Sequence, residues 1–125
     1  MQISDDFCGT WPWPKPYPWK WWLLGQLDLV RKLLETAAVL SRSTVPDTDE
    51  IRGLVKAAHT ALSLMEDQAR DCEVQAALAE GRVAVEEVLR VMDDGTAAGG
   101  NVTAALKISI KIIIKIGRVT ISIEF

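Results

Sequence analysis

Histidine occurs once in this chain, at His59, and cysteine twice, at Cys8 and Cys72. One histidine and two cysteines far apart in sequence do not make a zinc site. The Glu-x-x-His pairs of a di-metal helical bundle are missing. So are a glycine-rich phosphate loop, a Gly-x-Ser-x-Gly elbow and a Cys-x-x-Cys pair. The expectation is a protein with no catalytic residues, no metal, no cofactor and no small-molecule substrate. Long apolar runs are lacking too: Trp19 to Leu24 is too short to span a bilayer and is broken by Lys20. The first residues carry no basic stretch followed by an apolar one, so a cytoplasmic protein is expected, with Cys8 and Cys72 as separate reduced thiols. A Cys8–Cys72 tether is the alternative reading.

Charge of one sign does not dominate. The net charge is −3, which offers no general attraction to nucleic acid, and none is expected as a partner. Its distribution says more. Residues 23–100 carry most of the acids, whereas residues 101–125 carry Lys107, Lys111, Lys115 and Arg118 against Glu124 alone. An acidic middle and a basic end can attract each other, within one chain or between copies.

All five tryptophans and four of the five prolines fall within residues 7–22. Prolines at 12, 14, 16 and 18 bias the residues between them to extended or polyproline II geometry. Residues 1–18 therefore read as a stiff, extended Trp/Pro-rich arm. Trp11, Trp13, Tyr17, Trp19, Trp21 and Trp22 are its candidate interface residues, because rigid aromatics anchor interfaces well. The arm could fold over its own helices, dock on a neighbouring copy or enter a membrane interface.

A helix is expected from about Trp19 to Ser41, with Leu23, Leu27, Val30, Leu34 and Ala37 at helical spacing. Residues 41–46 break it. Asp47 and Glu50 then form a capping-box signature. From Ile51 the apolar residues Val55, Ala58, Leu62, Met65, Ala69, Cys72, Ala76, Ala79 and Val83 step by alternating fours and threes. That predicts a long second helix with Gly81 as the candidate kink. Val85, Val88, Leu89 and Met92 continue on a shifted stripe, either extending this helix or forming a short third one. Residues 19–94 form the helical domain, and 95–101 a glycine-rich linker.

The last segment alternates apolar and polar side chains. Leu106, Ile108, Ile110, Ile112, Ile114 and Ile116 occupy even positions, and Val119, Ile121, Ile123 and Phe125 odd ones. The phase changes at Gly117-Arg118, as a two-residue hairpin loop would require. Residues 102–125 therefore read as a β-hairpin turning there. Its candidate interface is Ile110, Ile112, Ile113, Ile114, Ile116, Val119, Ile121, Ile123 and Phe125, with Ile113 interrupting the polar face. A two-stranded sheet has two open edges, and strands from other copies would satisfy them.

The sequence thus predicts an α+β fold: Trp/Pro arm, antiparallel helical hairpin, C-terminal β-hairpin. The function expected from it is non-enzymatic self-assembly, with copies of the chain as partners, through strand pairing and docking of the arm. The alternative is a membrane-active or pore-forming protein that meets a membrane surface with the hairpin and the arm.

Overall fold

The computed structural model describes residues 17–45, 47–69, 72–93 and 99–122, with side chains from 21 onward in the first helix and from 101 onward in the last. The described residues form four helices: α1 (Tyr17–Ser41), α2 (Thr48–Gln68), α3 (Cys72–Asp93) and α4 (Gly99–Ser122). Each packs against its two neighbours in a ring, α1 on α2 and α4, α3 on α2 and α4. Cross-links between opposite ends set the directions. Ser41, at the end of α1, shares a hydroxyl hydrogen bond with Thr103 near the start of α4. Arg52, near the start of α2, pairs with Asp93 at the end of α3. The molecule is an up-down-up-down bundle, the arrangement that short connections favour.

One pattern repeats in all four helices. The inward positions are 23, 27, 30, 34, 37 and 41 in α1, and 51, 55, 58, 62, 65 and 69 along α2 and its cap. In α3 they are 74, 78, 81, 85, 88 and 92, and in α4 they are 102, 106, 109, 113, 116 and 120. Each set steps four, three, four, three, four, the seam of side-by-side helices. Small inward residues (Ala37, Ala58, Gly81, Ser109) mix with large ones (Leu34, Leu62, Met65, Ile113, Ile116).

The α1 expectation holds, with the helix beginning at Tyr17 rather than Trp19 and taking Pro18 into its first turn, where a missing N–H costs nothing. The α2 cap forms as read: Asp47 Oδ1 accepts the Glu50 N–H at 3.1 Å. The single long second helix is corrected. It ends at Gln68, and α3 starts at Cys72 with its stripe moved round. Ala69 closes α2 in extended geometry. Cys72, Ala76 and Val83, read as seam residues, are exposed, while Val74 and Leu78 are buried. Gly81 is not a kink, since α3 runs through it unbroken. A Cβ there would sit 2.8 Å from Ile116 Cδ1 and 3.4 Å from Ile113 Cδ1, so glycine serves the close approach of α3 to α4.

The larger correction is the C-terminal segment. Residues 99–122 are a helix, there is no strand among the described residues, and the fold is all-α rather than α+β. Gly117 and Arg118 lie inside α4, not at a turn. Ile113, the residue that interrupted the polar face of the expected strand, is 2% exposed and faces the core. Lys107, Lys111 and Lys115 step by four, which fits a helix face as well as alternate strand positions, and Arg118, three further on, continues the helix face only. The physical reason for the outcome is packing. Isoleucine disfavours a helix by under about 0.7 kcal/mol per residue. A hairpin would bury one face and leave two edges open, whereas a helix satisfies its own backbone and closes the ring between α1 and α3.

Among the described residues no helix is long and apolar enough to cross a membrane. Cys72 is in a disulfide, which corrects the expected separate thiols; Cys8 lies outside the described residues.

Candidate interaction surface

The four helices present very different seams. Between α2 and α3 the flanking positions are charged. Arg82 Nε donates to Glu66 Oε1 at 2.6 Å and its Nη1 to Glu86 Oε2 at 2.8 Å. His59 Nε2 lies 2.9 Å from the same Glu86 oxygen. Those bonds hold the Glu86 carboxyl below its ordinary range, His59 contributing most and Arg82 next. The same two carboxylates raise Arg82, Glu66 first. This network joins two helices across an open seam. Glu66 and Glu86 thus serve as bridges between α2 and α3.

Between α1 and α4 lies a groove of about 340 Å³. Leu24, Leu27, Ile113, Ile114 and Ile121 supply its apolar wall, and Gly117 leaves a notch. Asp28 and Arg31 sit on the rim, paired at 2.8 Å. Arg31 and then Lys32 hold the Asp28 carboxyl low.

The outward side of α4 is the most distinctive surface. It carries Lys107, Lys111, Lys115 and Arg118 and no acid. Ile108, Ile114 and Ile121 stand among these cations, 58%, 39% and 62% exposed. Lys115 reaches Glu80 of α3 at 3.5 Å. Lys107, Lys111 and Arg118 make no ion pair among the described residues. The outward side of α3 is the opposite. Glu73, Glu80 and Glu87 recur every seven residues on it, beside Glu86, Asp93 and the exposed Val83, with Arg90 the one outward base.

The residues expected at a hairpin interface are therefore scattered. Ile113 and Ile116 are core, Ile110, Ile112 and Val119 are half-buried flanks, and Ile114 and Ile121 are exposed. Ile123 and Phe125 lie outside the described residues. Of the arm set, Trp22 packs against the core and Trp21 is 63% exposed. Tyr17 is in the first turn of α1, corrected from the extended arm to helix, Trp19 is in that turn as expected, and Trp11 and Trp13 lie outside the described residues. No cluster of metal-ligating side chains occurs among the described residues.

Comparison with protein-family models, with curated proteins and with solved structures finds no match. Two surface features went unread in the sequence. The seven-residue spacing of Glu73, Glu80 and Glu87 is visible there. Its meaning depends on α3 having its own register, which the continued seam through Cys72 concealed. The His59–Glu86–Arg82–Glu66 chain spans two helices, and no local spacing announces it.

Proposed function

We propose that this protein acts by associating with copies of itself, not by catalysis. The observation that carries this reading is the outward face of α4: four cations, no acid and three exposed isoleucines on one helix. A solvated face gains nothing from exposed isoleucine. A contact surface does, because apolar side chains supply the burial and the charges choose the partner. The rest of the chain provides that partner, since its helical body is acidic. Trp21, near the start of α1, is a further exposed large apolar side chain. The titratable groups that could serve catalysis, His59 and Glu86, are tied into the exposed α2–α3 seam.

Sedimentation velocity at micromolar concentration tests this. Species larger than the monomer are expected at about 0.05 M salt, with dissociation at about 0.5 M as charge attraction is screened. A monomer under both conditions would sink the proposal.

A further inference from the structure

We infer that the groove between α1 and α4 binds a single-chain anionic amphiphile, a carboxylate of medium chain length with its tail on the apolar wall and its head on Arg118; this goes beyond the self-association proposed above and does not depend on it. The wall is continuous. Leu27 and Ile113 are buried beneath the groove, Leu24 packs partly against the core, and Ile114 is 39% exposed beside them. Gly117 widens the space, since a Cβ there would meet nothing within 4 Å. The hydrogen bond that ties α1 to α4, between Ser41 and Thr103, lies at the other end of the seam. Among the described residues no ion pair joins these two helices, in contrast to the bridged seam between α2 and α3.

The charges at the rim choose the ligand. Asp28 is held by Arg31 at 2.8 Å and by Lys32 at 3.1 Å, and Arg31 also reaches Glu35 at 3.9 Å. Arg118 makes no ion pair among the described residues. The groove thus joins an uncommitted guanidinium to an apolar wall, and its one acid is already neutralised. Lys107 and Lys111 add positive charge along the same helix. A guanidinium forks onto a carboxylate through two parallel hydrogen bonds. A small anion alone would gain only a screened surface pair, and a neutral tail alone would leave Arg118 unused; an amphiphile gains from both. Size sets the chain. The groove, at about 340 Å³, stands at the lower end of the range of ligand clefts, about 300–1,000 Å³, which suits one tail and not a two-chain lipid.

A nuclear magnetic resonance titration of the isotope-labelled full-length protein tests it, with octanoate and decanoate below their micelle-forming concentrations. Saturable shifts are expected at the amides of Ile114, Gly117 and Arg118, with affinity rising about two- to fourfold per added carbon. Decyltrimethylammonium, with the same tail and a cationic head, should bind at least about fivefold more weakly than decanoate. Gly117→Leu fills the groove and should weaken decanoate by at least about tenfold. Arg118→Gln should weaken decanoate about fivefold and leave decyltrimethylammonium no weaker, and it decides the matter if circular dichroism shows that leucine at 117 disturbs the helix. No saturable shift, equal binding of the two decyl compounds, or decanoate affinity unchanged in either variant would overturn the inference. So would binding to phosphatidylglycerol vesicles without binding of decanoate, which would make the partner an anionic lipid surface.

Discussion

Gly117→Ala separates the helical reading of the C-terminal segment from the hairpin reading by the sign of its effect. Gly117 lies inside α4, and a Cβ added there meets nothing within 4 Å. The methyl group therefore brings no clash. It brings the ordinary advantage of alanine over glycine in a helix interior, about 0.5–1 kcal/mol. For a domain of this size that raises the melting temperature by about 2–6 °C. Were residues 117–118 a hairpin loop, position 117 would hold a positive φ, and alanine would cost about 1–2 kcal/mol instead. Urea unfolding followed by far-ultraviolet circular dichroism measures the difference. Gly53→Ala is the internal control, because Gly53 is exposed in α2 and also has open space around its Cβ. Both variants should gain stability together. A loss of about 1 kcal/mol or more at Gly117, with a gain at Gly53, would refute the helical argument for α4.

The remaining predictions concern packing, acid and thiols. Ile113→Lys should destabilise by at least about 3 kcal/mol, because it buries an unpaired charge, whereas Ile114→Lys one residue on should cost less than about 1 kcal/mol; equal effects in chemical denaturation would contradict the register of α4. Gly81→Leu should cost about 1–3 kcal/mol by pressing α3 against Ile116 and Ile113, and an unchanged unfolding midpoint would contradict their close approach. Glu86 has its folded carboxyl below the ordinary 4.5, so its contribution to stability is present above that pH and is lost as pH falls through the folded value. Acid unfolding of Glu86→Gln should therefore show a shallower fall below about pH 4.5, and an unaltered acid limb would remove the network from the account. Alkylation of protein purified without reductant, followed by peptide mapping, should leave Cys72 unmodified because it is in a disulfide, and alkylated Cys72 would contradict this.

Much of the bundle was legible because its helices announce themselves locally. Leu23, Leu27, Val30, Leu34 and Ala37 mark the buried stripe of α1, and Ile51, Val55, Ala58, Leu62 and Met65 that of α2. The Asp47 cap was readable because a capping bond involves residues three apart. The break at Ala69 was harder. No glycine or proline stands there, and Cys72, Ala76 and Ala79 continue the fours and threes well enough to hide a new helix. Val74 and Leu78, larger than the alanines beside them, were the sign that the stripe had moved.

The C-terminal helix shows where local pattern and tertiary structure part. The sequence by itself determined that residues 102–122 are amphipathic, with cations four, four and three apart. It left open the period, because lysines at every fourth position suit both a strand and a helix. Ile113 was the discriminating residue, wrong for the polar face of a strand and right for the core of a helix. Only the tertiary structure decided between them. Three helices leave an apolar trough between α1 and α3, and a fourth helix fills it with Leu106, Ile113 and Ile116 while satisfying its own backbone. Tertiary structure likewise decided which charges face outward together, since helix order and register, not neighbours in sequence, put a cationic face on α4 and a row of glutamates on α3.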